Sequence, residues 1–197
     1  MTRAATCSRV TKETSIELAI DLDGTGHSDV ATGIGFLDHM LDQLARHGGF
    51  DLTVAVQGDL HIDTHHTIED TGIALGAALG EALGDKAGVR RFASVRVPLD
   101  EALIDVALDL SGRPYLHWEV GYPSSPVLQG APPFDAQLVE EFFRAVVTNA
   151  NITLHVTRVR GRNTHHLVEA TFKGVARALR DAVRIEGDAV PSTKGSL

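Results

Sequence analysis

Four histidines and two glutamates stand in two copies of one pattern. Residues 64–82 read THHTIEDTGIALGAALGEA, and residues 164–182 read THHLVEATFKGVARALRDA, an offset of 100. The signature HHxxE has been duplicated together with the segment that carries it, and a repeat at a long fixed offset sets the architecture. On a helix, His65 and Glu69 are four apart and share a face, so they can grip one ion together. His66 points about 100° away and is free to serve a second ion. His165, Glu169 and His166 repeat the arrangement. The expected product is a dinuclear site with pseudo-two-fold symmetry and open coordination positions. Imidazole with carboxylate suits Mn, Fe, Zn or Ni better than Ca or Mg, and the set contains no soft thiolate. A single His pair at a helix start is often a capping feature; a duplicated HHxxE is not accounted for that way.

Further residues could complete such a site. His39, in GFLDHMLDQL, precedes the first signature by 26 residues, and its positional counterpart near Glu141 precedes the second by 24. Each can add a ligand from an equivalent helix. A second constellation is suited to phosphate. Arg91, Arg113 in the turn SGRP, and Ser192 and Lys194 in the tail PSTKG offer bidentate, hydroxyl and ammonium donors. Glu13, beside Lys12 on what reads as the first strand, carries no motif of its own. His47, in RHGG, sits at a helix end, where a histidine is ordinary.

Composition narrows the function class. The chain has 197 residues, a net charge of −8 and 43% hydrophobic residues. That is enough to bury a proper core in one or two small domains. The acidic balance argues against a broad nucleic-acid surface. A lone cysteine, Cys7, suits a reducing cytoplasm. No signal-peptide core and no run of membrane-span length is present. No nucleic-acid or membrane partner is therefore expected.

The elements that must position these residues follow from periodicity. Residues 15–22 alternate as a strand, and Gly24-Thr25-Gly26 turns. Residues 36–47 are helical, ended by Gly48-Gly49. Residues 50–56 form a strand, and 68–83 the first repeat helix. In the second half, 95–97, 103–110 and 115–120 read as strands, with a turn at Pro98-Leu99-Asp100-Glu101. Residues 121–133 are a loop, 136–149 a helix, 151–156 a strand and 167–183 the repeated helix. Each half is strands, helix, strand, helix. The fold class is α+β, with half-domains 1–90 and 91–197 packed as one catalytic body, helices against two sheets.

HHTIED at 65–70, NTHHLVE at 163–169, FLDHML at 36–41, LSGRPY at 110–115 and PSTKG at 191–195 resemble the motifs of the imidazoleglycerol-phosphate dehydratases. The likeness spans nearly the whole chain. It implies halves of the ribosomal S5 domain 2-like type. It implies dehydration of imidazole glycerol phosphate to imidazole acetol phosphate in histidine biosynthesis, with two Mn2+ per active site. The family also implies a homo-oligomer, a closed octahedral shell of 24 subunits with active sites between them. By this match His39, His65, His66, Glu69, His165, His166 and Glu169 bind manganese or contact substrate. Arg91, Arg113, Ser192 and Lys194 hold the phosphate. Gln43, His47 and Lys173 lie around the substrate, and Glu13 is the acid/base carboxylate. The chain departs from the family at Glu141, where a histidine ligand is frequent; carboxylate can also bind manganese.

The proton to be lost lies on a carbon with no adjacent carbonyl to acidify it. Two metals set apart can take the two ring nitrogens and favour the imidazolate, whose electron density expels the neighbouring hydroxyl. Two other functions share the motif. A dinuclear metallohydrolase acting on a small phosphate ester would use metals bridged at about 3.5–4 Å in an Asp/Glu-rich site, and would release inorganic phosphate. A metal-storage protein would need no phosphate constellation.

Overall fold

The computed structural model describes residues 3–197. The first half runs β1 (Ala4–Val10), β2 (Thr14–Asp21), β3 (Ser28–Ala31), α1 (Gly35–Gly48), β4 (Asp51–Gly58) and α2 (His65–Leu83). The second runs β5 (Phe92–Leu99), β6 (Ala102–Asp109), β7 (Tyr115–Glu119), a short hairpin of β8 (Val127–Leu128) and β9 (Phe134–Asp135), α3 (Leu138–Ala150), β10 (Thr153–Arg160) and α4 (Thr164–Ala182). The sheets have orders β1-β2-β4-β3 and β5-β6-β10-β7, so each half builds the same four-stranded sheet.

The central strands are those with clean alternation. Ile16, Leu18 and Ile20 of β2 and Leu52, Val54 and Val56 of β4 are buried. Ile104, Val106 and Leu108 of β6 and Leu154 and Val156 of β10 answer them in the other sheet. Strands β1 and β3 are edges with little buried apolar surface, which is why their sequences carry no strand pattern. Glu13 consequently lies in the turn between β1 and β2 rather than on a first strand. Pro98 lies inside β5 rather than in a turn. An edge strand has a side where a missing N–H costs no ladder bond, and the chain turns at Asp100-Glu101 instead.

The helices lie between the sheets. α2 covers β1 and β2, α4 covers β5 and β6, and the halves meet where α1 packs on α4 and α2 on α3. This exchange of partners obeys a pseudo-two-fold: α1 is to α4 as α3 is to α2. Ile20, Leu44, Phe50, Leu75, Leu79, Phe143, Val146, Val175 and Leu179 converge at the centre. Helix α2 is buried on most sides, and Gly72 and Gly76 let it approach α3 closely. Helix α4 keeps a polar face bearing Lys173, Arg177 and Arg180. After α4 the chain doubles back: the Arg91 N–H donates to the Ala182 carbonyl and the Arg90 N–H to that of Arg184. An isolated bridge joins Val89 to Ile185.

Candidate active site

The contact of α1 with α4 brings three metal-ligating groups together. His39 comes from α1, and His165 and Glu169 from the first turns of α4. One ligand atom from each lies within 4.8 Å of the others, the one such group of three among the described residues. Nε2 of His165 is 3.0 Å and Nε2 of His39 is 3.4 Å from Oε2 of Glu169. Glu169 is the least exposed member, its side chain 12% exposed, while the imidazoles are open to approach. Its other oxygen pairs with Lys173 Nζ at 2.5 Å. Burial pushes the Glu169 carboxyl up, but Lys173, His165 and His39 outweigh it and hold the group below the ordinary carboxylate range. Phe36 lies edge-on to His165, 5.1 Å between ring centroids, and shields one flank.

Gln43 and His47 extend this site along α1, with His47 Nε2 3.1 Å from Gln43 Oε1. Burial, then the charges of Lys173 and Arg177, lower the His47 pKa, favouring the neutral ring. Arg177 is a site neighbour that carries no motif signal. His39, Gln43 and His47 follow at i, i+4, i+8, so one face of α1 is devoted to the site.

The first repeat forms the same grip less completely. His65 Nε2 is 3.5 Å from Glu69 Oε2, as the i, i+4 spacing requires. Among the described residues no third ligand joins them. Glu141 of α3 lies instead 3.6 Å from Arg144. The second histidine of each signature points elsewhere, as its 100° offset demands. Nδ1 of His66 bonds Asp59 at 2.9 Å, and its Nε2 is 3.9 Å from Glu13. Nδ1 of His166 bonds Glu101 at 2.8 Å, and its Nε2 is 3.9 Å from Asp100. Asp59 and Glu101 carry no motif of their own, Glu101 reading only as a turn residue; their one signal is that His66 and His166 each need an Nδ1 partner.

The anion constellation is also assembled. Arg91, Arg113, Pro191, Ser192, Thr193, Lys194, Ser196 and Leu197 line an open pocket of about 510 Å3. Arg91 is fixed rather than free. It grips Asp109 through Nε and NH2 at 2.7 and 3.2 Å, and it donates to the Pro191 carbonyl at 2.7 Å, tying the tail down. Its backbone is left-handed, φ 75°, and the guanidinium lies 4.4 Å from the Phe92 ring centroid. Arg113 NH1 touches the Ser111 carbonyl at 3.1 Å and keeps its remaining donors available. The pocket and the His39 cluster share no residue.

The sequence pattern of the imidazoleglycerol-phosphate dehydratases matches residues 32–179. The chain belongs to this family. It is similar to the enzyme of that name from Granulibacter bethesdensis, 60% identical with all of both chains covered. It is 57% identical to that of Dinoroseobacter shibae, over 99% of this chain and 100% of the relative. Among solved structures, imidazoleglycerol-phosphate dehydratase from Staphylococcus aureus aligns with a TM-score of 0.82 at 40% identity, over 92% of this chain and 99% of that one. The protein from Pyrococcus furiosus aligns with the same TM-score at 37% identity, over 96% and 99%. The dehydratase is thus a hydro-lyase of histidine biosynthesis, with the duplicated mixed fold of its structural neighbours. No helix in the described residues is long and apolar enough to cross a membrane.

Proposed function

We propose that the chain dehydrates imidazole glycerol phosphate to imidazole acetol phosphate at a dinuclear manganese site that takes the substrate ring as imidazolate. The observation that carries the metal reading is the His39–His165–Glu169 cluster. Two imidazoles and a carboxylate with ligand atoms within 4.8 Å of one another fit a borderline divalent cation. His65 and Glu69 would hold the second ion, and the adjacent histidines, His66 and His166, would each serve the ion that the HxxxE pair of their own helix does not grip. Bound manganese would supply Lewis acidity that favours the deprotonated ring. Arg113, Lys194 and the Ser192 hydroxyl would seat the phosphate, with Arg91 holding the tail in place. Lys173 keeps Glu169 ionised. Glu13, exposed and beside His66, would move the proton at the substrate carbon. Two features favour a homo-oligomer, for which the family resemblance implies the 24-subunit octahedral shell. The phosphate pocket is separate from the cluster, and the His65–Glu69 pair lacks a third ligand among the described residues. Both are expected of a site completed between copies.

The test is metal-stripped protein, refilled with manganese, assayed for ketone product and for inorganic phosphate. Activity returning with manganese, without phosphate release, supports the proposal. Phosphate release in place of ketone would make the site a metallohydrolase.

A further inference from the structure

The second histidine of each signature is held by a carboxylate at the same ring atom, yet the two carboxylates are not repeats of each other. Asp59 follows β4 and bonds Nδ1 of His66 at 2.9 Å. Glu101 sits in the β5–β6 turn and bonds Nδ1 of His166 at 2.8 Å. The residue one repeat beyond Asp59 is Val159, exposed and apolar. The residue equivalent to Glu101, directly before the second strand of the first sheet, is Glu13, which faces Nε2 of His66 at 3.9 Å. The carboxylate at Nδ1 has been kept while the position supplying it has changed. His65 and His165 differ: they turn Nε2 to the glutamate four residues on.

A carboxylate only accepts, so a ring nitrogen bonded to it carries the proton. The neutral ring is then the Nδ1–H tautomer, and its lone pair sits on Nε2. We propose that Asp59 and Glu101 are positioning residues that fix His66 and His166 in this tautomer and aim Nε2 at a divalent cation. Histidine ligands are commonly oriented in this way, and loss of the partner weakens metal binding by about 10–100-fold. Both carboxylates are themselves constrained. Oδ1 of Asp59 is buried with no partner, so the imidazole is what its carboxylate group bonds. Oε1 of Glu101 accepts from the Asn163 and Arg162 amides at 2.8 and 3.2 Å, fixing it against the start of α4. The cation part of this inference rests on the metal reading above; the tautomer part does not.

Nitrogen NMR on full-length, metal-free protein labelled at its histidine rings tests the tautomer directly, above the imidazole titration range. Wild type should show His66 and His166 protonated at Nδ1. Asp59→Ala should release His66 to a mixture containing the Nε2–H form and leave His166 as it was. Manganese titration followed by electron paramagnetic resonance should then show affinity lower by about 10–100-fold, with turnover largely recovered at saturating metal. Glu101→Gln retains an acceptor for the Arg162 and Asn163 amides, so the α4 start stays folded, and it should act on His166 alone. Glu119→Gln, at the exposed His117 pair, should change neither readout. An unaltered His66 tautomer in Asp59→Ala overturns the proposal. A released tautomer with unaltered manganese affinity keeps the positioning role and removes His66 from the metal site.

Discussion

Helices α2 and α3 approach closely enough that one methyl group decides the sign of a stability change. A Cβ placed on Gly76 would lie 2.6 Å from the Val146 carbonyl oxygen, 2.9 Å from Asn149 Cβ and 3.0 Å from Val146 Cα. An ordinary C···O contact needs about 3.3 Å, so the helices must part there by roughly 0.7 Å. The obstacle is largely backbone, and no rotamer change relieves it. Overpacking of this kind costs about 1–3 kcal/mol. Helix propensity returns about 1 kcal/mol on replacing glycine by alanine. Gly76→Ala should therefore lose a net of up to about 2 kcal/mol, lowering Tm by up to about 8 °C at this chain length. Gly80, one turn on, is the control. Its Cβ would meet nothing nearer than the Asn149 carbonyl oxygen at 3.4 Å, an ordinary contact. Gly80→Ala should be neutral or more stable by up to about 1 kcal/mol. Urea denaturation of both variants in chelator, to remove stabilisation by bound metal, gives the comparison. Gly76→Ala more stable than wild type, or the two variants changing equally, would refute the account of how α2 meets α3.

Three other outcomes are expected. Arg113→Ala should weaken substrate binding by roughly 2–5 kcal/mol and leave manganese affinity unchanged, because Arg113 lies in the tail pocket and not in the His39 cluster; an unaltered KM would remove it from the phosphate seat. Glu13→Gln should bind metal and substrate but turn over about 10²–10⁴-fold more slowly, and loss of metal along with rate would make Glu13 a ligand instead of the proton carrier. The His166 bond, with the Asn163 and Arg162 amides, holds the Glu101 carboxyl at about 2, below its ordinary 4.5. A carboxyl lowered on folding stabilises the native state above the unfolded value and loses that contribution as pH falls through the folded one. Urea midpoints should therefore fall between about pH 4.5 and 2 more steeply in wild type than in Glu101→Gln, and parallel curves would refute the assignment.

The duplicated halves were legible because the strongest patterns lie at the centre of each sheet. Strands β2, β4, β6 and β10 alternate cleanly, since one face of each packs on helices. The edge strands β1 and β3 were not legible, because an edge with half-exposed side chains needs no such alternation. Strand β8 hides in the proline-rich stretch 121–133 read as loop, and its partner β9 follows directly after that stretch. In the site, the i, i+4 pairs His65–Glu69 and His165–Glu169 are local and could be read from spacing alone. The joining of His39 to the second pair is a tertiary fact, set by the packing of α1 on α4. So is the meeting of Arg91 with the tail, which depends on the chain doubling back after α4 to pair with residues 88–91.

The symmetry of the fold is not carried through to the chemistry. The pseudo-two-fold pairs α1 with α3 and α2 with α4, so each signature has a helix beside it that can present a third ligand. On α1 that residue is His39, whose Nε2 reaches Glu169. On α3 it is Glu141, 3.6 Å from its own helix neighbour Arg144 and 38% exposed. The carboxylates behind the second histidines diverge likewise, one from the end of β4 and one from the β5–β6 turn. Lys173 makes a third difference: it pairs with Glu169 at 2.5 Å, while the repeat-equivalent position in α2 is Ile73, which cannot pair with Glu69. Duplication thus fixed the backbone and the HxxxE grips, which are local to one helix. The partners reached across elements have changed, His39 against Glu141 and Lys173 against Ile73, leaving Glu169 shielded and cation-stabilised and Glu69 open to whatever completes its grip.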